Sequence, residues 1–214
     1  MGSIGDFDLK NIRRNTGIGT FIETGTLYGH GILEAHRAGF YDIHSIEIEP
    51  TLAKKAKEEF ADYPYVSIYE GNSFNVLEEI LPTINRDAFF WLDAHFPGAD
   101  AHLISYEECK NIEYDTNLPL EREIDLISKR IGKYNDIIVS DDLWLYEDIK
   151  IKGVGFNEHC KMNNHNVTRE EIVKGKDLSF LYDKFKDTHD FQKVYKHQGY
   201  LVTKPKAFKN ESSK

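Results

Sequence analysis

The chain has few cysteines and no long apolar run. Its 214 residues include only Cys109 and Cys160, which form no CxxC pair, so neither a zinc site nor a redox disulfide is expected. The longest apolar run covers residues 88–92, whereas a membrane-spanning helix needs about 20 apolar residues. The N-terminus lacks the apolar core of a signal peptide. These absences predict a cytoplasmic protein with reduced thiols that does not enter membranes.

Basic residues are also fewer than acidic residues. The chain carries 27 Lys and Arg against 36 Asp and Glu, a formal net charge of −9. Binding to nucleic acid requires a basic field, so no nucleic-acid partner is expected. The hydrophobic fraction of 40% and aromatic fraction of 13% exclude a disordered chain. We therefore expect a single domain over residues 1–204, with a loose start up to about residue 18 and a flexible tail over 205–214.

Strand-like and helix-like segments alternate between these ends. The alternation predicts an α/β fold, in which a doubly wound and mostly parallel sheet carries a C-terminal antiparallel hairpin. Two connections, at about 103–118 and 144–177, exceed the usual length of ~4–6 residues and are predicted to be insertions at the ligand edge. The predicted strands are 20–23, 44–48, 66–69, 88–92, 136–140, 191–196 and 200–203, and the predicted helices are 29–38, 51–60, 73–81, 119–131 and 178–186.

Acidic residues follow four of the first five predicted strands. In an open parallel sheet, ligands bind outside the carboxyl ends of the strands, so these residues are expected to share one site. The segments that end the strands are Glu23-Thr24-Gly25-Thr26, Glu47, Gly71-Asn72-Ser73, Asp93-Ala94-His95 and Asp141-Asp142.

The ligand expected at this edge contains no phosphate. Gly29-His30-Gly31 lacks the third glycine of the dinucleotide fingerprint, and no GxxxxGK[ST] loop occurs. Glu23 would repel a pyrophosphate at the mouth of the first loop. A ligand with a cationic part for Glu23 and a ribose for Glu47 fits better, and S-adenosylmethionine has both. An NAD-linked reductase or epimerase is the disfavoured alternative.

Four short motifs carry a family resemblance. The motifs at 21–26, 46–48, 71–73 and 90–93 resemble class I S-adenosylmethionine-dependent methyltransferases over about residues 18–145, together with the hairpin at 191–204. The resemblance implies a Rossmann-like methyltransferase fold in which the glycine loop holds the methionine part of the cofactor. It also implies that the second-strand acid holds the ribose and that the pair after strand three lies near the adenine, where Asn72 replaces the commoner acid. The implied cofactor-binding residues are Glu23, Gly25, Thr26, Gly29, Glu47, Ile48, Asn72, Ser73 and Asp93.

A second set of acids, Asp93, Asp141 and Asp142, is similar to the cation site of metal-dependent small-molecule O-methyltransferases that act on catechols and macrolide sugars. The resemblance implies that these oxygen ligands bind a divalent cation, either Mg²⁺, Ca²⁺ or Mn²⁺. His95 is the candidate general base beside Asp93, because a near-neutral pKa suits removal of a hydroxyl proton. A metal set that includes His95 or His102, and a His95 that only orients Asp93, are open alternatives.

The expected function is methyl transfer from S-adenosylmethionine to a hydroxyl of a small molecule, such as a sugar or a secondary metabolite, with assistance from a divalent cation. A catalytically silent S-adenosylmethionine-binding module is the main alternative. The expected partner is the small-molecule acceptor, and we also allow for a homodimer. Trp144 and Tyr146 follow the acidic pair and are expected to pack the insertion on the sheet, with a place in the acceptor pocket as the alternative.

Overall fold

The structure, a computed structural model, describes residues 3–208 and contains a seven-stranded sheet. The strand order is β3-β2-β1-β4-β5-β7-β6, with β1 to β5 parallel and β7 antiparallel to both β5 and β6. This arrangement confirms the predicted parallel sheet with its C-terminal antiparallel hairpin. The strands are β1 (Thr20–Thr24), β2 (Asp42–Glu47), β3 (Val66–Glu70), β4 (Ala88–Leu92), β5 (Ile137–Ser140), β6 (His189–Val194) and β7 (Tyr200–Pro205).

Helices cover both faces of the sheet. Neighbouring strand residues point to opposite faces, so Phe89 packs in one apolar cluster and Phe90 in the other. Burial of both faces explains why β4 is apolar throughout. The helices of the described residues are α1 (Leu9–Thr16), α2 (His30–Ala38), α3 (Pro50–Glu59), α4 (Ser73–Ile80), α5 (Tyr106–Cys109), α6 (Tyr114–Asn117), α7 (Leu120–Ser128), α8 (Leu143–Tyr146), α9 (Phe156–Met162), α10 (Arg169–Val173) and α11 (Ser179–Phe185).

The prediction of a loose start was wrong, because α1 is a regular helix. The Asp8 side chain accepts the backbone N–H of Asn11 and so caps its first turn. Gly17, with φ of +74°, ends the helix in the left-handed conformation that glycine adopts without steric cost. Leu9 is buried against the sheet. The cap residues Asp8 and Gly17 could have indicated this helix. The segment has few apolar residues, so it shows no clear helical pattern.

Replacing Asp8 by alanine is expected to lower the free energy of unfolding by about 1 kcal/mol, since the substitution removes the N-cap acceptor of α1. Urea unfolding of the two proteins measures the difference. Asp62→Ala, at an exposed turn position, is the matched control. Equal losses in the two variants would contradict the capping role.

The predicted insertions fold into short helices, with α5 and α6 in the first and most of α8, together with α9 and α10, in the second. At the C-terminus, the predicted flexible tail begins inside the fold, because Pro205 is the last residue of β7 and Lys206–Phe208 form a 3₁₀ turn. The rest of that tail lies outside the described residues. In the described part of the chain, no helix combines the length and apolar character needed to cross a bilayer.

Candidate functional site

A cavity of about 500 Å³, which we call the first cavity, opens at the carboxyl ends of β1 to β4. The loops after four different strands meet here, as the sequence predicts. Gly29 lies outside the lining: it precedes α2 with φ of +70°, and an added Cβ would clash with the Phe60 ring. The predicted cofactor residues that line the first cavity are Glu23, Gly25, Thr26, Glu47, Ile48, Asn72, Ser73 and Asp93.

Glu23 is the most deeply buried acid of the first cavity, with a relative exposure of 1%. Its Oε2 atom has no hydrogen-bond donor among the described residues. Burial raises the pKa of Glu23 well above its usual range, and the nearby Asp93 and Glu47 carboxylates add to the shift. A buried carboxylate oxygen without a donor is costly, so this position favours a ligand that brings positively charged N–H groups.

Gly31 is a residue of this site that the sequence interpretation missed. A Cβ at this position would collide with the carboxylate of Glu23. The first turn of α2 therefore passes so close to Glu23 that any side chain here would force the Glu23 carboxylate to move. The available sequence signal for this close approach is the second glycine of Gly29-His30-Gly31, which was compared only with the dinucleotide fingerprint.

Glu47 is held in place by two backbone amides. Its Oε2 accepts the N–H of Leu27 at 2.8 Å, and its Oε1 accepts the N–H of Glu49 at 2.9 Å. Burial raises the pKa of Glu47, and these two hydrogen bonds partly oppose the shift. The carboxylate consequently ties the loop after β1 to the loop after β2.

The loop after β1 lies tightly between its neighbours. The backbone N–H groups of Gly25 and Thr26 both donate to the carbonyl oxygen of Ile46, at 2.9 and 3.2 Å. Gly25 has φ of +87°, and an added Cβ would lie 2.9 Å from the carbonyl oxygen of Asp93. This backbone path requires glycine for two reasons, the positive φ and the close approach of β4.

Asn72 caps α4 and contacts the first insertion. Its Oδ1 accepts the N–H of Phe74 at 3.4 Å, and its Nδ2 donates to Oγ1 of Thr116 at 3.1 Å. The neighbouring Ser73 is buried, and its hydroxyl has no partner among the described residues. The residue that stands in the expected adenine position thus also anchors the insertion at the cavity wall.

Asp93, His95 and Asp142 form a compact group, which we call the donor group. Each offers one donor atom, and the three atoms lie within 4.8 Å of one another. His95 Nε2 lies 2.9 Å from Oδ2 of Asp142, and His95 Nδ1 lies 3.0 Å from the carbonyl oxygen of Asp93. The indole N–H of Trp144 donates to Oδ1 of Asp142 at 3.0 Å. Asp142 therefore has a fixed orientation toward the imidazole.

The donor group differs from the predicted cation set, because it contains His95 and not Asp141. Asp141 is buried, and its Oδ1 accepts the backbone N–H of Asp142 at 2.7 Å. Asp142 has a left-handed φ of +55°, and the Asp141 side chain lies beside Asp93, where it partly opposes the rise in the pKa of Asp93. The other histidine considered, His102, is exposed and lies outside the group.

Negative charge is in excess around the donor group. Burial raises the pKa of Asp93, and the carboxylates of Asp142 and Asp100 add to the shift. Burial alone would lower the pKa of His95, but Asp142, Asp93 and Asp100 outweigh it and raise that pKa well above its usual range. Burial raises the pKa of Asp141 in the same way. One imidazole thus faces several carboxyl groups, an arrangement that favours an added cation.

A second cavity, of about 110 Å³, lies between the donor group and the two insertions. It shares Asp93, His95, Phe96 and Asp100 with the first cavity, so the two spaces are adjacent. Trp144 lines it, whereas Tyr146 packs edge-on against Phe180. The lining residues are Asp93, His95, Phe96, Asp100, Tyr106, Asp142, Trp144, Phe156, His159, Cys160, His165 and Gln198.

Solved structures with this architecture bind S-adenosyl cofactors. The methyltransferase PaMTH1 of Podospora anserina, bound to S-adenosylhomocysteine, aligns with a TM-score of 0.58 and 17% identity over 92% of this chain and 76% of its own. An O-methyltransferase of Bacillus cereus in complex with S-adenosylhomocysteine aligns with a TM-score of 0.53 and 14% identity over 92% and 79%. The chain has the fold of the S-adenosylmethionine-dependent methyltransferases.

A third structure with the methyltransferase fold is the O-methyltransferase TomG of Streptomyces achromogenes in complex with S-adenosylmethionine. It aligns with a TM-score of 0.53 and 12% identity over 92% of this chain and 77% of its own. No protein-family model and no curated protein matches the sequence. The structural similarity confirms the fold that the sequence resemblance implies, and the roles of individual residues stay predictions.

Proposed function

We propose that this chain transfers the methyl group of S-adenosylmethionine to a hydroxyl of a small molecule, assisted by a divalent cation. The observation that carries the proposal is the buried Glu23 carboxylate in the first cavity, whose Oε2 has no donor among the described residues. A second cavity beside Asp93 and His95 offers space for an acceptor. This space favours turnover over the alternative of a silent cofactor-binding module.

The residues of the first cavity fit the cofactor. The ammonium of its methionine part would supply the donors and the positive charge that Glu23 lacks. Each carboxylate oxygen of Glu47 accepts one hydrogen bond from a backbone amide. Because a carboxylate oxygen can accept two hydrogen bonds, each can still accept one from a ribose hydroxyl. Asn72, at the opening of α4, offers amide atoms toward the adenine. The bound cofactor supplies a methyl group on a positively charged sulfur.

The donor group fits a divalent cation. Two carboxylates favour Mg²⁺, Ca²⁺ or Mn²⁺, and the imidazole nitrogen makes Mn²⁺ a better fit than Ca²⁺. We therefore propose Asp93, His95 and Asp142 as ligands, with Asp141 as a neighbour that orients Asp142 through its backbone N–H. A bound cation lowers the pKa of a coordinated hydroxyl and fixes its position.

His95 is held with one nitrogen directed at the donor group. A proton on Nδ1 can be donated to the carbonyl oxygen of Asp93 at 3.0 Å. Nε2 faces Asp142, which favours a proton on Nε2 as well, and that proton would leave when Nε2 binds a cation or acts as a base. Nε2 is the atom that would hold the cation or receive the proton of the acceptor hydroxyl. We propose both the ligand role and the general-base role for Nε2 of His95, and the ligand role for Asp93.

Titration calorimetry with S-adenosylhomocysteine tests the cofactor half of the proposal. We expect saturable binding to the wild-type protein and no binding of NADH, since the Glu23 carboxylate in the wall of the first cavity would repel a pyrophosphate. Absence of heat at millimolar S-adenosylhomocysteine would refute the cofactor assignment. Binding of NADH in its place would support the reductase alternative.

Replacing Glu23 by glutamine is expected to weaken S-adenosylhomocysteine binding about tenfold, because the ammonium loses its charged partner. The free variant should unfold at the same or a higher temperature than wild type, since glutamine removes a buried carboxyl whose pKa is raised by burial. Glu59→Gln, on the exposed face of α3, is the control. An unchanged affinity in Glu23→Gln would exclude Glu23 as the ammonium site.

A further inference from the structure

Half of the residues that line the second cavity come from the two insertions, and most of the others follow β4. Tyr106 of α5 packs against His165 with ring centroids 4.7 Å apart. Lys110, just after α5, donates to the carbonyl oxygen of Asn166 at 3.1 Å. The insertions are thus joined to each other over the cavity. Four aromatic rings line it, from Phe96, Tyr106, Trp144 and Phe156.

The second cavity has an acidic lining. Its carboxylates are Asp93, Asp100 and Asp142, and none of its lining residues in the described part of the chain is lysine or arginine. Burial lowers the pKa of His159 on the cavity wall, which favours a neutral imidazole there. An anionic acceptor would consequently meet three carboxylates, and the only positive charge at the described part of the wall would come from His95 or from a cation on the donor group, which Asp93 and Asp142 already balance.

Asp100 is the carboxylate of the second cavity that does not belong to the proposed cation site. It lies outside the donor group, with its Oδ2 3.7 Å from His95 Nε2. Its Oδ1 accepts the hydroxyl hydrogen of Tyr106, which orients the carboxylate at the cavity wall. A divalent cation on Asp93 and Asp142 would balance those two charges but not the charge of Asp100.

Gln198 supplies a second acceptor oxygen to this cavity. Gln198, in the turn between β6 and β7, lines the cavity, and its Oε1 is buried with no donor among the described residues. Asp100 and Gln198 both present acceptor oxygens. A ligand that brings several N–H donors and a positive charge would satisfy both oxygens at once.

We propose that the second cavity selects small, positively charged methyl acceptors and that Asp100 is the residue that determines this preference. The proposal rests on the methyl-transfer function proposed above and adds the charge class of the acceptor. A cavity of about 150 Å³ holds a benzene ring, so about 110 Å³ holds a group smaller than one ring, and a one-ring acceptor extends into the adjoining first cavity. The aromatic walls add cation–π attraction for an ammonium group.

Three probes of one ring and different charge test the proposal: benzylammonium, benzyl alcohol and benzoate. Ligand-observed NMR titrations at pH 7, with saturating S-adenosylhomocysteine and Mg²⁺, measure their affinities for the full chain. We expect benzylammonium to bind on the order of tenfold more tightly than benzyl alcohol, and benzoate to bind more weakly than either. Equal affinities of the three probes, or no binding of any, would overturn the proposal.

Variants at the cavity wall assign the preference to one residue. Asp100→Asn keeps an acceptor for the Tyr106 hydroxyl and should reduce the ratio between benzylammonium and benzyl alcohol to about one. Tyr106→Phe keeps the Asp100 charge and should retain the ratio, as should Asp148→Asn at an exposed position. A ratio that persists in Asp100→Asn would overturn the role of Asp100. The same samples report S-adenosylhomocysteine binding, so normal cofactor binding without a charge preference refutes this inference alone.

Discussion

Replacing Asp142 by asparagine is expected to weaken Mn²⁺ binding about 100-fold, with little change in affinity for S-adenosylhomocysteine. The substitution removes one of the two negative charges of the donor group and leaves its geometry in place. Loss of a partner that only orients a ligand costs 10–100-fold in metal affinity, so loss of a direct ligand belongs at the upper end. Calorimetric titration of Mn²⁺ into the protein saturated with S-adenosylhomocysteine measures the effect.

Asparagine is a suitable replacement at position 142 for a backbone reason. Asp142 has φ of +55°, and asparagine is among the few residues that tolerate this left-handed region. Its side-chain oxygen can still accept the indole N–H of Trp144. Any loss of Mn²⁺ binding then reports the missing charge and not a collapsed turn. An affinity equal to that of wild type would remove Asp142 from the proposed site.

The neighbouring Asp141→Asn variant distinguishes two sets of cation ligands. The sequence predicts Asp93, Asp141 and Asp142, whereas the structure brings together Asp93, His95 and Asp142. Asp141 lies outside the donor group, and asparagine keeps an oxygen that accepts the backbone N–H of Asp142. This replacement should therefore change Mn²⁺ affinity only a few fold. His95→Gln should cause a larger loss. The reverse order of effects would restore the set Asp93, Asp141 and Asp142.

The architecture was predictable because the strands carry strong local signals. The predicted strand 88–92 and β4 coincide, since a strand buried on both faces must be apolar at each position. The other strands differ from prediction mainly by one or two residues at their ends. Turn residues such as Gly71 and the segment 197–199 mark where strands end. Knowing where the parallel strands end is enough to predict which residues lie at the carboxyl edge of the sheet.

The finer geometry of the site was not predictable from spacing. Asp141 and Asp142 are adjacent, and which carboxylate meets His95 depends on the positive φ of Asp142. No residue pattern reports that dihedral. The contribution of Gly31 likewise depends on how closely α2 approaches Glu23, a distance that packing of the helix on the sheet decides. Asp100 lines both cavities and accepts the hydroxyl hydrogen of Tyr106 from the first insertion, a contact between segments that spacing does not report.

Glu123, on the buried face of α7, is an acid that neither the sequence interpretation nor the proposed mechanism uses. It is 1% exposed, and neither carboxylate oxygen has a hydrogen-bond partner within the described residues. Burial raises its pKa from 4.5 to about 7, and the nearby hydroxyls of Ser73 and Thr24 offset only part of the shift. This carboxyl therefore destabilises the folded protein once it is ionised.

Glu123→Gln is expected to stabilise the protein by about 3 kcal/mol at pH 8.5 and to have little effect at pH 4.5. The folded-state pKa lies above the unfolded value, so the folded protein holds this proton more tightly. The wild-type stability from this group is complete below the unfolded pKa and is lost as the pH rises through about 7. The magnitude follows from the unfolded pKa of 4.5 and the folded pKa of about 7, at 1.36 kcal/mol for each tenfold change in proton affinity.

Urea unfolding of both proteins across this pH range, with EDTA present, measures that difference directly. EDTA keeps a bound cation from altering the field around the neighbouring Asp93. Glu79→Gln, on the exposed face of α4, should show no such pH dependence. If the gain from Glu123→Gln were the same at all pH values, the ionisation of Glu123 would not be its source. A gain confined to high pH would mean that the folded protein retains, directly beneath its proposed cation site, a carboxyl group that costs it stability at neutral pH.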